Sequence, residues 1–271
     1  MNGSIWRDEH GPLPRLDTGV PQSARVWNYL QGGKDNFAAD RAAADAIRQA
    51  CPDIGLIARS QRRFLTRAVQ YLAGQAGIQQ FIDLGTGLPA DDNTHEIAQR
   101  MIPSSRIVYG DNDPLVLLHA RALMISGPEG ATSYVEADVR DVEEILHETA
   151  RTLDLSQPAA LLLLGVMGEI PDADRPREIV ASLLSALPPG SYLVLSDATD
   201  TSPALNQAID VYNQQAANPY RLRSPREVAG FFDGLTYVTP GLITASRWQP
   251  GLPTASAPAS SSAMCGLARK D

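Results

Sequence analysis

Gln80-Phe-Ile-Asp-Leu-Gly-Thr-Gly-Leu-Pro89 is the stretch whose reading decides the fold. Phe81, Ile82 and Leu84 form the short apolar run of a strand buried on both faces of a parallel sheet, and Gly85 and Gly87 end it. A backbone that turns sharply beneath a ligand must visit positive φ without a Cβ in the way, which is what glycine permits. Asp83 precedes the turn, so its carboxylate belongs to the carboxyl end of the strand, the edge at which open α/β sheets bind ligands. Ala90 could complete a dinucleotide fingerprint, but Pro89 would remove an N–H where a pyrophosphate needs one.

The neighbouring segments repeat the pattern. Arg106-Ile-Val-Tyr-Gly110 runs into Asp111-Asn112-Asp113-Pro114, an acidic end at about the ~20-residue offset of a ribose-binding carboxylate. Asp111 could accept hydrogen bonds from both ribose hydroxyls, and Asn112 could orient an adenine edge; the same residues also suit a loop and helix cap. Residues 132–137 form a third strand that closes on Asp138-Val139-Arg140-Asp141. Three successive strands thus carry an acid to one sheet edge.

Outward from this core, strands and helices alternate to residue 248: helices at 94–101, 114–125, 140–150, 174–186, 203–216 and 224–232, and strands at 159–166 and 191–197. Such alternation implies right-handed crossovers and a doubly wound, Rossmann-like, mostly parallel sheet, here seven-stranded. The last two strands, 235–238 and 242–248, are separated only by Thr239-Pro240-Gly241 and read as an antiparallel hairpin. Before the sheet, 23–76 reads as a helical lid of three helices, beginning at Ser23 as N-cap, with the second over 34–50 and the third over 54–76. Its corner, Tyr29-Leu-Gln-Gly-Gly-Lys-Asp-Asn-Phe37, is either a structural turn or a ligand contact, in which Gly33 admits close approach and Lys34 or Arg25 supplies charge for a carboxylate. Arg59, Arg62, Arg63 and Arg67 on the third helix read as solvated, with some able to face the cleft. Residues 1–22 read as a flexible arm, 77–250 as the Rossmann-like domain, and 251–271, rich in Ala, Ser and Pro, as a disordered tail.

A net charge of −8 argues against a nucleic-acid or anionic-membrane binder, both of which need a basic face. No segment reaches the ~20 apolar residues of a membrane span, and the first residues lack a signal-peptide core, so a cytoplasmic protein is expected. Cys51 and Cys265 lie far apart and the four histidines do not cluster, so no metal site is expected.

A terminal hairpin, a glycine loop after the first strand and an acid after the second resemble the class I S-adenosylmethionine-dependent methyltransferase fold. Between about 21 and 250 the resemblance narrows. Residues 24–41, Phe81-Ile-Asp-Leu-Gly-Thr-Gly-Leu-Pro89, Tyr109-Gly-Asp-Asn-Asp-Pro114, Leu187-Pro-Pro-Gly-Ser-Tyr-Leu-Val-Leu-Ser196 and Phe231-Phe-Asp-Gly-Leu235 are similar to an actinobacterial S-adenosyl methyltransferase family once catalogued as a domain of unknown function. The resemblance implies S-adenosyl-L-methionine as cofactor: Asp83, Gly85, Thr86 and Gly87 around its methionine part, Asp111 at the ribose, Asn112 at the adenine, and Asp138 with Val139 at the adenine amino edge. Arg25, Tyr29, Gly33, Lys34, Val166 and Met167 are further candidates for cofactor or substrate contacts. Where family members commonly carry a Leu-His-Phe type of sequence, this chain has Val166-Met-Gly-Glu-Ile170, so no catalytic residue carries over; Glu169 also reads as a solvated loop acid. His95 and Glu96 are acid/base candidates better suited to capping. The expected activity is methyl transfer to a small molecule, largely by positioning. Two other readings stay open, a cofactor-binding sensor without turnover and an NAD-dependent oxidoreductase.

Overall fold

The computed structural model describes residues 16–252 and 262–271. β1 (Gln80–Leu84) lies parallel between β2 (Arg106–Asp111) and β4 (Ala160–Leu164), with β3 (Ala131–Glu136) outside β2 and β5 (Tyr192–Ala198) outside β4. The chain builds outward from β1 to β3 and then returns to the other side of β1. This makes the junction of β1 and β4 the topological switch point, where the loops part and leave a crevice.

Alternate strand residues serve two cores. Phe81, Tyr109, Leu162 and Val194 face one, while Ile82, Val108, Leu161, Leu163 and Leu195 face the other. The first core is covered by α3 (Ile54–Gly74), α4 (Thr94–Met101), α5 (Pro114–Leu123) and α8 (Pro203–Asn213), the second by α6 (Val142–Thr149), α7 (Pro176–Ser185) and α9 (Pro225–Ala229). α3 is a body helix rather than part of a lid: Phe64, Leu65, Val69 and Leu72 are buried against the sheet, and Phe64 meets Trp248 edge-on at 5.0 Å. α1 (Ser23–Gln31) and α2 (Ala38–Ala50) are the covering pair; α1 packs on α2 and α3, and α2 on α8. The second helix starts at Ala38, not 34, because Asp40 accepts the Phe37 N–H at 2.8 Å and fixes the helix start there. Nor does Ser23 cap α1: Gln22 occupies that position, and the Ser23 side chain is bonded to Glu169.

The C-terminal third departs from expectation. The sheet does hold an antiparallel C-terminal component, but not as a hairpin of 235–248. β6 (Thr236–Tyr237) and β7 (Ile243–Thr244) are short and both pair with β8 (Ala263–Arg269), which runs antiparallel beside β5 along its whole length. Among the described residues the sheet has eight strands. β8 lies in the stretch expected to be disordered; Cys265, Leu267 and Ala268 are fully buried, and Gly266 admits the Phe232 ring, which would stand 2.9 Å from a Cβ. Residues 253–261 of that stretch, and 1–15 of the expected arm, lie outside the described residues. Residues 16–22 pack onto the body: Leu16 joins a small cluster with Leu88 and Leu115, and the Asp17 carbonyl accepts from Arg25 at 3.0 Å.

Candidate active site

A cavity of about 950 Å³ opens at the carboxyl ends of β1 to β4, roofed by α1 and flanked by α3 and α8. Asp83, Gly85, Thr86, Gly87, Asp111, Asn112, Asp138, Val139 and Val166 all line it.

The glycine loop is built by close approach. Gly85 (φ +65°) and Gly87 (φ +67°) are both left-handed, and a Cβ on Gly85 would stand 2.1 Å from Val166 Cγ2 across the switch point. The Gly85 N–H donates to the Gly110 carbonyl at 2.8 Å, tying the loop to β2.

The three rim acids differ in state. Asp83 is buried and accepts the Thr94 hydroxyl at 2.6 Å; burial nevertheless pushes its pKa up to about 6. Asp111 accepts the Gly87 N–H through one oxygen and the Asp113 N–H through the other, each at 2.9 Å. Burial still raises it to about 6. Asp138 is held below the usual carboxylate range by Arg140, whose guanidinium donates to both of its oxygens, at 2.8 and 2.7 Å. Asn112 donates to Asp138 at 3.3 Å, bridging the ends of β2 and β3.

Other expected contacts lie elsewhere. Arg25, Tyr29, Gly33, Lys34 and Met167 do not line the cavity. Arg25 is buried, 3.4 Å from Asp113 and 3.9 Å from Asp40, so its charge serves protein acids rather than a ligand's carboxylate. Tyr29 lies beneath the Arg48 guanidinium, 4.9 Å from its ring centre, and Lys34 is exposed. The Gly33 turn is structural: Asn28 accepts from Asp35 and Asn36, and a Cβ on Gly33 would meet Asn28 at 2.3 Å. Met167 is buried below the cavity, its carbonyl accepting from Arg223. Glu96 caps α4 with Asn93 at 2.7 Å, and His95 is buried against the Tyr109 hydroxyl at 2.9 Å. Of the α3 arginines, Arg62 lines the cavity and donates to the Asp91 and Asp92 carbonyls at 2.9 Å.

The structure also brings in residues that local sequence did not single out. Tyr212 of α8 and Tyr220 line the cavity, and Tyr220 donates to buried Asp197 at the end of β5. Glu169, in a 3-10 turn after β4, is half-buried there and not a solvated loop acid; burial pushes it up to about 7 against the opposing Ser23 hydrogen bond. The neighbours Ile170 and Pro171 gave no signal of this, since the cover comes from far along the chain, from Ser23 of α1 and from Tyr220 beyond α8, whose ring packs on Gly168.

The profile of a family described as S-adenosyl methyltransferase matches residues 9–271. The chain belongs to this family. Its similarity to two solved actinobacterial structures is nearly end to end. One is a DUF574 family protein from Streptomyces avermitilis, 41% identical over 95% of this chain and 100% of that one, with a TM-score of 0.89. The other is a candidate methyltransferase from Thermobifida fusca, 39% identical over 99% of this chain and 100% of that one, with a TM-score of 0.87. No curated protein matches. The family member described here is an S-adenosylmethionine-dependent methyltransferase. Among its described residues no helix is long and apolar enough to cross a membrane.

Proposed function

We propose that this methyltransferase acts on a small molecule, and that the cofactor occupies the β1–β3 side of the cavity while the acceptor enters from the α8 side. The observation that carries this reading is the cavity itself: about 950 Å³, roofed by α1, exceeds what one nucleoside fills, and suits two small ligands rather than a polymer. Asp111 holds the ribose hydroxyls with the lone pairs its two N–H donors leave free. Gly85 and Gly87 let the backbone close on the methionine part, Asp83 and Thr86 flanking it. Asn112 and Val139 face the adenine, and Asp138, pinned by Arg140, accepts from its amino edge. Acids at the rim suit a cationic ligand. When bound, S-adenosylmethionine supplies a methyl carbon already activated by its sulfonium, so the protein's task is alignment and exclusion of water. Val26, Trp27 and Leu30 of α1 provide the cover. A cytoplasmic location fits this chemistry, since the donor is a cytoplasmic metabolite.

The test is a calorimetric titration with S-adenosylmethionine, followed by transfer of labelled methyl in a cell extract. Micromolar binding and label in the low-molecular-weight fraction are expected. No binding, or label confined to protein or nucleic acid, defeats the reading.

A further inference from the structure

The acceptor side of the cavity contains one carboxylate whose partners are incomplete. Each other buried or half-buried acid of the lining faces a cation or backbone N–H donors. Asp83 has Thr94 and the opposing charge of Arg62, Asp111 two backbone N–H groups, Asp113 the Leu115 N–H on one oxygen and the Arg25 charge 3.4 Å from the other, and Asp138 has Arg140. Glu169 has the Ser23 side chain alone. Among the described residues no Lys, Arg or His forms an ion pair with it. The lining cations are engaged elsewhere: Arg62 with Asp91 and Asp92 carbonyls, Arg140 with Asp138 and Asp174, Arg221 with Asp172 and Glu227.

A second group near Glu169 is also unpaired. The Tyr212 hydroxyl is buried, has no hydrogen-bond partner, and belongs to a side chain that is 5% exposed and lines the same cavity. Glu169 and Tyr212 sense each other electrostatically. The acids facing Glu169 from the other elements add only negative charge, Asp111 from β2, Asp138 beyond β3 and Asp197 from β5, while the Tyr220 hydroxyl after α8 stays neutral and donates to Asp197. An ionised carboxylate in such a place needs a cation, and an unpaired hydroxyl needs a donor or acceptor.

We propose that the missing partner is the acceptor itself, a small amine on an apolar body, held as its ammonium between Glu169 and the Tyr212 hydroxyl. The inference rests on the methyltransferase reading above. Val26, Leu30, Ile57, Leu65, Leu205 and Ile209 supply an apolar lining for the body of such a molecule. The ammonium donates one hydrogen to a Glu169 oxygen and one to the Tyr212 oxygen. For transfer, one N–H bond breaks and its proton passes to Glu169, leaving the electron pair on nitrogen. That pair forms the new N–C bond to the methyl group, and the electrons of the cleaved S–C bond leave with sulfur. The product is a methylated ammonium, and Glu169 returns its proton to water. A group pushed up to about 7 exchanges that proton near neutrality.

Benzylamine and benzoate, which share an apolar body and differ in charge, serve as probes. Their binding to the protein saturated with S-adenosylhomocysteine is followed by saturation-transfer NMR and calorimetry. Benzylamine is expected to bind and benzoate to be refused, with benzylamine binding strengthening from about pH 6 to about pH 8 as Glu169 ionises. Glu169→Gln should weaken benzylamine at least about tenfold and abolish that pH dependence, with Glu169→Asp restoring part of both. Tyr212→Phe should weaken it by a few fold. S-adenosylmethionine affinity should stay within about threefold in Glu169→Gln. Benzylamine that fails to bind, or binds without pH dependence in the unaltered protein, overturns the proposal even where a variant does not fold. So does loss of cofactor binding in Glu169→Gln, which would make Glu169 a partner of the cofactor's own cation. Failure of the methyltransferase reading shows separately, as absence of cofactor binding to the unaltered protein.

Discussion

The two halves of the cleft are built on opposite plans. On the β1–β3 side each acid comes from a strand end and is already held by donors from an adjoining loop or, for Asp83, from Thr94 at the start of α4. Asp111, for example, is set by the N–H groups of Gly87 and Asp113. On the β4–α8 side, Glu169 and Tyr212 come from elements far apart in sequence and keep unfilled bonding capacity. The first half is braced before a ligand arrives, as suits the cofactor proposed to bind there. The second half is left for a ligand to finish, as suits an acceptor that changes from enzyme to enzyme.

The strongest way to break this comparison is to disturb the staple that holds α1 over the finished half. Arg25 is buried between Asp40 and Asp113, and Asp113 in turn donates its N–H to Asp111. Arg25→Met leaves two buried acids without their cation and should cost about 3 kcal/mol of stability. Asp40 moderates the loss, since it also accepts backbone N–H groups from Gln22 and Phe37. Urea unfolding reads the result; a loss under about 1 kcal/mol would mean that the apolar contacts of α1 hold it unaided.

The same contrast explains what could be read from residues in order. The β1–β3 half was legible because its signals are local: an apolar run, glycines at a turn, and an acid at the strand end, each within a few positions. Arg25 was recognised as important but given the wrong partner, because the Asp113 it meets lies on another element. Glu169 read as a solvated loop acid because nothing in Val166-Met-Gly-Glu-Ile170 says that α1 and α8 will close over it. β8 failed for a different reason. Its sequence, Ala-Met-Cys-Gly-Leu-Ala-Arg, has mostly small side chains and follows a Ser/Pro/Ala-rich stretch, so it lacks the bulky run that marks a buried strand. It is buried because β5 and the Phe232 ring leave room for no more.

A smaller effect sharpens the comparison by separating binding from stability. Asp111→Asn should weaken S-adenosylmethionine about 10- to 100-fold, the worth of hydrogen bonds to a charged acceptor. The cofactor-free protein should lose only about 1 kcal/mol, because removal of a buried charge offsets much of the cost of the second backbone N–H, which an amide with one oxygen can no longer accept. Calorimetry and urea unfolding on the same preparation give both numbers. Equal cofactor affinity in the variant would remove Asp111 from the ribose.

The smallest effect per residue, and the one that weighs both halves together, is the pH dependence of stability without cofactor. Asp83, Asp111 and Asp197 sit at about 6 and Glu169 at about 7 in the folded protein, all raised by burial. A raised carboxyl holds its proton in the folded state at a pH where the unfolded chain has released it. The folded state therefore binds more protons between about pH 4 and pH 7, and stability falls as pH rises through that window. Asp138 and Glu227 are shifted the other way, but their contribution disappears only below the ordinary carboxylate range, so they do not reverse the slope above about pH 5. Unfolding free energy from urea titrations should thus be higher at about pH 5 than at about pH 7.5, by about 1 kcal/mol for each acid that keeps its shift. Asp111→Asn should flatten the lower part of this slope and Glu169→Gln the upper part. Saturating S-adenosylmethionine should reduce the slope on the cofactor side, because a bound cation favours ionised acids, and leave the Glu169 portion in place. If the cofactor erased the upper portion too, the acceptor half would already be filled by the donor, and the division of the cleft into a finished and an unfinished side would fail.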